Sequence, residues 1–134
     1  MRGGTNASKF ATDSISFVHT NGTIASGAKI PFQHNSAGVG GRHRDWCTLT
    51  NGTDFTLKKG YKYLVTYSAT ASTTDDLVQG FSSYSGNVVW RTHSYTSVID
   101  LTEAPSDYTE SLTNGGQPNT WVWFTLVITR LGGD

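Results

Sequence analysis

The stretch "NTWVWFTLVITRLGG", residues 119–133, predicts a β-strand that is apolar on both of its faces. Successive side chains of a strand point to opposite faces. One face then carries Val122, Phe124, Leu126 and Ile128, and the other carries Trp121, Trp123 and Val127 beside Thr125 and Thr129. An antiparallel strand of a small domain usually buries one face and exposes the other to water. The second face of this strand therefore needs a cover of its own.

The composition around this strand indicates an all-β fold. The 134 residues include 20 Thr, 15 Gly and 14 Ser, and 12% of the chain is aromatic. Thr, Val and aromatic residues suit a pleated sheet, and no window shows the 3.6-residue apolar period of a helix. Turn signals recur every 8–12 residues or so, as in sandwiches and jelly rolls. We expect an N-terminal arm over 1–13 and one domain over 14–134, built from about eight to ten short antiparallel strands.

A second strand with large side chains is predicted over residues 61–72, "YKYLVTYSATAS". Its aromatic residues share one face, and they repeat the pattern of the terminal strand. Two such strands favour a sheet that is covered by another subunit, because exposed aromatic patches of this size mark interaction sites. The predicted interface residues are Tyr61, Tyr63, Tyr67, Trp121, Trp123 and Val127. The alternative is that a long loop of the same chain covers this face.

Three segments resemble the C1q/TNF-like jelly-roll superfamily: "GTIASGAKIPFQHNSAGVG" (22–40), "FTLKKGYKYLVTYSATAS" (55–72) and the closing "FTLVITRLGG" (124–133). The resemblance spans most of residues 14–133. It implies a ten-stranded jelly roll that associates as a compact homotrimer. In this superfamily the contact uses the sheet that contains the C-terminal strand and the strand after the Gly-Tyr turn.

The resemblance also implies a function. Secreted animal members of the superfamily carry a signal peptide, a collagen stalk and paired cysteines. This sequence shows none of the three, and its single cysteine is Cys47. We therefore expect a non-enzymatic phage structural protein, made in the host cytoplasm and located on the virion as a capsid decoration, head fibre or tail-fibre tip. Its arm, with Arg2, Lys9 and Phe10, would dock on other virion proteins, and its outer loops would contact host surface glycans.

Charge and hydropathy exclude several other classes. The net charge is zero and no basic stripe is visible, which argues against a nucleic-acid partner. No apolar run approaches the roughly 18–20 residues that cross a bilayer, so membrane insertion is not expected. A free-standing C1q-like module that binds carbohydrate or protein is the alternative function. A glycan-active enzyme using Glu103, Asp107 and Glu110 is a third, which would need two carboxylates about 5–9 Å apart.

The cluster "GGRHRDWC", residues 40–47, is the densest group of functional side chains. Arg42, His43, Arg44 and Trp46 are candidates for contact with a ligand or a partner, with Trp46 as a stacking platform. A Cys47–His43 nucleophile pair lacks a third group to orient it, so no catalytic residue is predicted. In the simpler interpretation, Cys47 packs as a small hydrophobic residue, and Arg44 pairs with a carboxylate or reaches a neighbouring subunit.

No metal site or cofactor is predicted from the sequence. The four histidines lack the spacing of a metal motif. Asp75 and Asp76 could help to hold calcium only if both lie in a loop, since adjacent residues on a strand point to opposite faces.

Overall fold

The computed structural model describes residues 13–19, 22–36, 44–71, 78–81, 83–84, 92–116 and 118–133. Its described part contains twelve strands: β1 (Asp13–His19), β2 (Thr23–Ile24), β3 (Phe32–His34), β4 (Cys47–Thr50), β5 (Asp54–Leu57), β6 (Tyr61–Ala71), β7 (Val78–Gly80), β8 (Ser83–Tyr84), β9 (Thr92–Asp100), β10 (Tyr108–Glu110), β11 (Thr113–Asn114) and β12 (Asn119–Gly133). These residues contain no helix, and therefore no helix long and apolar enough to span a membrane. The all-β prediction is confirmed.

The larger layer is an antiparallel sheet with the strand order β3-β1-β12-β6-β9, to which β2 adds beside the start of β12. The two long strands, β6 and β12, lie side by side at its centre. Their register pairs Leu126 with Tyr67 and Ile128 with Val65. The segments that carried the two strongest strand patterns therefore form one continuous ladder.

The second layer consists of two three-stranded sheets, β10-β5-β4 and β11-β7-β8. Only residues 111 and 112 separate β10 from β11, so one segment of chain runs through both sheets. Segment 27–30 pairs with that segment as well, because the Ile30 N–H donates to the Leu112 carbonyl at 2.8 Å. The two small sheets thus form one layer opposite the large sheet.

The hairpin between β4 and β5 turns at a predicted Asn-Gly pair. Asn51 and Gly52 both adopt positive φ, 56° and 72°. They are the two central residues of a β-turn that the Thr53 N–H closes by donating to the Thr50 carbonyl at 3.1 Å. Left-handed backbone at both central positions is tolerated best by Asn and Gly. The turn holds Cys47 opposite Leu57 in the β4–β5 ladder.

An aromatic cluster fills the space between the layers. Phe55 of the small layer meets Phe17 edge-to-face at 4.9 Å between ring centroids, and it lies 5.6 Å from Phe32 and 5.8 Å from Phe81. Phe124 of β12 lies 5.1 Å from Phe32, again edge-to-face. Edge-to-face pairs are favourable beyond the area they bury. All five rings are at most 4% exposed, so they join the two layers.

The structure corrects which face of β6 is the inner one. Tyr63 and Tyr67 are 0% and 1% exposed, and they lie in the core of their own chain with Val65. The prediction that these two tyrosines contact another subunit is therefore wrong. Tyrosine can be buried because its hydroxyl can be bonded, and the Tyr63 hydroxyl donates to the Lys58 carbonyl at 2.6 Å.

One boundary and the number of strands also differ from the sequence prediction. Asp13, assigned to the arm, begins β1 and pairs with Arg130 of β12. The described residues contain more strands than the eight to ten expected, because several strands are only two or three residues long. Such short strands are too brief to produce a periodic pattern in the sequence.

Candidate subunit interface

The outer side of the large sheet carries no charged side chain over three successive cross-strand rows. Strand alternation and register place eleven described residues there, and we call them the uncharged face: Ser14, Ser16, Val18, Leu64, Thr66, Ser68, Thr96, Val98, Thr125, Val127 and Thr129. Thr96 and Val98 are exposed, Ser16 is already buried at 2% exposure, and the others are half-buried. All eleven are Ser, Thr, Val or Leu. With strands about 4.8 Å apart and residues about 3.4 Å apart along each, the rows cover roughly 14 Å by 14 Å.

The centre of this face combines aliphatic groups with hydroxyls that have partners. Leu64 lies directly opposite Val98, and Val98 is 55% exposed. On the other side of Leu64, the hydroxyls of Ser14 and Thr129 share a hydrogen bond of 2.9 Å. A bonded hydroxyl loses less when water is removed than a free one does. The face can therefore be covered at little polar cost.

The outer side of the small layer differs from the uncharged face. We call it the charged face, and it is formed by Lys29, Asp45, Thr48, Asp54, Thr56, Lys58, Asp107 and Thr109. Its Lys29 and Asp54 form an exposed ion pair of 2.9 Å. The hydrogen bonds from Lys29 and then Thr53 lower the pKa of Asp54. These charges are hydrated, and covering them would cost free energy.

The predicted interface residues do not share one location. Val127 belongs to the uncharged face and is half-buried, while Tyr61 lies at the end of the sheet with the Arg130 guanidinium 4.8 Å from its ring centre. The backbone of Trp121 and Trp123 pairs with β6, but their side chains lie outside the described part of the structure. The sequence reasoning missed Leu64 and Val98. The signal was present in the alternation of β6, which puts Leu64 opposite the tyrosines.

The cluster 40–47 is only partly described, and Arg42 and His43 lie outside the described residues. Arg44 pairs with Asp13, with Nε 2.8 Å from Oδ1. The Trp46 Nε1–H donates to the other carboxylate oxygen of Asp13 at 3.3 Å. Trp46 is 2% exposed and packs on Tyr63, so its ring is not available as a stacking platform. The cluster fastens the start of β4 to the start of β1.

Cys47 is buried at the start of β4. Burial raises the pKa of its thiol to about 12. A thiol with that pKa is neutral at physiological pH and is a weak nucleophile. This matches the interpretation of Cys47 as a core residue.

The remaining sequence candidates either carry surface contacts or are not described. Asp107 accepts the Lys59 N–H at 3.0 Å, and Glu110 accepts the Tyr108 hydroxyl at 2.9 Å. The docking candidates Arg2, Lys9 and Phe10 and the calcium candidates Asp75 and Asp76 lie outside the described residues. Within the described ranges, no group of three or more His, Cys, Asp or Glu side chains is placed to hold a metal ion.

One half-buried histidine, His19, lies near the edge of the large sheet. The Nδ1 atom of His19 lies 2.6 Å from the Pro31 carbonyl oxygen, and the ring meets Phe32 and Phe124 edge-on. Desolvation by burial lowers the pKa of His19, and the hydrogen bond to Pro31 opposes this only in part. The neutral ring, with its proton on Nδ1, is the form that this site favours.

No protein-family model matches this chain, and no curated protein matches it. The structure and the sequence are therefore the only bases for a functional proposal.

Proposed function

We propose that this chain is a non-enzymatic, trimeric jelly-roll protein of a virus particle, a capsid decoration, head fibre or tail-fibre tip. The single observation that carries the oligomer is the uncharged face. A sheet face that stays in water normally carries charged or strongly polar residues. Here three rows of Ser, Thr, Val and Leu have no charge among them, whereas the opposite side of the same domain is charged.

The uncharged face has the chemistry of a surface that is covered by a second copy. Interface centres are depleted of charged residues, since an unpaired charge is costly to bury. Val98 is 55% exposed, and burying the rest of it would contribute about 1 kcal/mol. A sheet face of β-branched residues also packs closely against a similar surface, because those side chains have few rotamers to lose.

The strand order supports the jelly-roll part of the proposal. The resemblance implies contact through a sheet that holds the C-terminal strand and the strand after the Gly-Tyr turn. In this chain those strands are β12 and β6, and they are neighbours in the large sheet. Gly60 has a φ of 98° and directly precedes Tyr61, the first residue of β6. The uncharged face lies on that same sheet.

The virus-particle part of the proposal rests on the sequence resemblance. The N-terminal residues 1–12, with Arg2, Lys9 and Phe10, would dock on the capsid or tail, and β1 would follow directly at Asp13. Several identical sites per particle would then give avidity for host surface glycans even where each contact is weak.

A free-standing binding module of the same fold is the second candidate. One observation favours it: the charged face contains a polar pocket of about 230 Å³ lined by Asp45, Trp46, Thr48, Thr56, Lys58 and Asp107. Carboxylates, a lysine and threonine hydroxyls are groups that bond to sugar hydroxyls. Deleting residues 1–12 separates the two candidates, because a module keeps its partner and a virion protein loses its particle.

Light scattering of the purified chain tests the oligomer directly. The parent should have three times the chain mass of 14.5 kDa. Thr66→Lys places a charge at the middle of the uncharged face, opposite Val127 and Thr96. It should convert the protein to monomer without unfolding it, as followed by circular dichroism. The double variant Trp121→Ser/Trp123→Ser asks whether these two residues add to the contact.

Thr56→Lys is the matched control, since it places the same side chain on the charged face. It should leave the trimer intact. A parent that is monomeric at high concentration would overturn the proposed trimer. Equal dissociation by Thr56→Lys and Thr66→Lys would show that the uncharged face has no special part in assembly.

A further inference from the structure

A cavity of about 410 Å³ opens at one edge of the sandwich, between β1 and β4. Its described lining is Ile15, Phe17, His34, Arg44, Cys47, Thr48 and Leu49. This volume falls within the range of small-molecule sites, about 300–1,000 Å³. The cavity lies between β1 of the large sheet and β4 of the small layer, and Thr48 is the one described lining residue that it shares with the charged face.

The lining is mostly apolar. Ile15 and Phe17 of β1 form one wall, and Cys47 and Leu49 of β4 form the other. Side chains at alternate positions of a strand point the same way, so each wall presents two neighbouring apolar groups. Since burial raises the pKa of Cys47 to about 12, this residue adds no negative charge to the cavity. Such walls suit a hydrocarbon group.

Arg44 is the only one of the seven lining residues with a permanent charge. Asp13 neutralises part of that charge through the ion pair with Nε at 2.8 Å. The Nη1 atom of Arg44 is buried, however, and has no hydrogen-bond partner among the described residues. A buried donor without a partner is costly, and a guanidinium donor is best satisfied by a carboxylate oxygen.

We propose that this cavity binds a small amphipathic monocarboxylate, with its hydrocarbon part between Ile15, Phe17 and Leu49 and its carboxylate bonded to Arg44. The carboxylate supplies the acceptor that Nη1 lacks, and the hydrocarbon part displaces water from apolar walls. A neutral ligand of the same shape contacts the apolar walls but supplies no carboxylate for Arg44. A dicarboxylate would place its second charge against those walls, so it is disfavoured.

Isothermal titration calorimetry with decanoate, and with decanol as the uncharged control, tests the proposal. Decanoate should bind the parent chain at one molecule per chain and more tightly than decanol. Arg44→Gln should weaken decanoate binding by about tenfold or more, because a bond to a charged group is lost, and leave decanol binding unchanged. Thermal melting checks that this variant, which removes the ion pair of Asp13 and leaves its bond from Trp46, is still folded.

Leu49→Trp fills the cavity and does not depend on the Arg44 ion pair. It should abolish the binding of both probes. Thr50→Trp is the matched control, because Thr50 is exposed and its side chain points to the opposite side of β4. That variant should bind both probes as the parent does.

Three results would overturn the inference. They are no decanoate binding to the parent, decanoate binding that survives Leu49→Trp, or equal affinity for decanoate and decanol in the parent and in Arg44→Gln. The first two results would show that the cavity is not a binding site, and the third would show that it does not prefer a carboxylate. None of them affects the trimer, which the mass measurement tests on a different surface.

Discussion

The two outer faces of this sandwich are both rich in threonine and differ in charge. On the large sheet, Thr66, Thr125 and Thr129 lie among Val, Leu and Ser, whereas on the small layer Thr56 and Thr109 lie among lysines and aspartates. Threonine suits any pleated surface and says little about what that surface meets. The charge determines whether a face can be covered by another protein surface. Removing water from an unpaired charge costs far more free energy than removing it from a methyl group or a bonded hydroxyl.

The largest expected effect lies in the core that the two faces share. Phe55→Ala removes the ring that meets Phe17 and Phe32 across the layers, and it should lower the free energy of unfolding by about 3–5 kcal/mol. Thr56→Ala, the next residue and part of the charged face, removes only an exposed hydroxyl bond to Thr109 and should change it by about 1 kcal/mol or less. Urea unfolding of both variants measures the difference. If both variants lost a similar free energy of unfolding, the core would contribute no more to stability than the charged face does.

A smaller effect is expected within the uncharged face. Ser14→Ala should cost about 1 kcal/mol, because it leaves the partly buried Thr129 hydroxyl without its partner. Adding Thr129→Val removes both polar groups and should restore most of that loss. Chemical denaturation of the single and double variants forms the test. A double variant less stable than either single variant would show that the hydroxyls themselves hold β1 to β12.

On the charged face, Lys29→Ala should have only a slight effect on stability, since exposed ion pairs contribute little. Its clearer effect is on Asp54, whose pKa should rise toward the ordinary value when the bond from Lys29 is lost. A lowered folded-state pKa gives stability that is present above the unfolded value of 3.8 and lost as pH falls through the folded pKa. An NMR titration of the Asp54 carboxyl that is unchanged by Lys29→Ala would contradict this.

The smallest expected effect is that of salt concentration on the dissociation constant of the trimer. If the uncharged face forms the trimer, the dissociation constant should stay nearly constant between about 0.05 and 0.5 M NaCl, because no charges meet across it. Sedimentation at both salt concentrations measures this. A trimer that weakens steeply with salt would instead place the charged face at the contact.

The sequence of β12 and β6 was sufficient to predict two strands with large side chains and to assign their residues to two faces, because a strand's alternation is local. Phe124, Leu126 and Ile128 were assigned to one face and are all buried. The Asn51-Gly52 turn was also readable, since few other pairs tolerate positive φ twice. What could not be read was which face of β6 turns inward. Tyrosine suits either a core or an interface, and only the register with β12 places Tyr67 beside Leu126.

The sequence by itself thus determined the fold class and the strongest strands, both of which depend on neighbouring residues. The tertiary structure decided what depends on residues far apart in the chain. It brought Asp13 to Arg44 and Trp46, so a cluster that had looked like a ligand site fastens two strands. It also aligned Ser14, Thr129, Leu64 and Val98 in one row. Only the pairing of four separate strands turns their alternation into a surface, and no local pattern specifies that pairing.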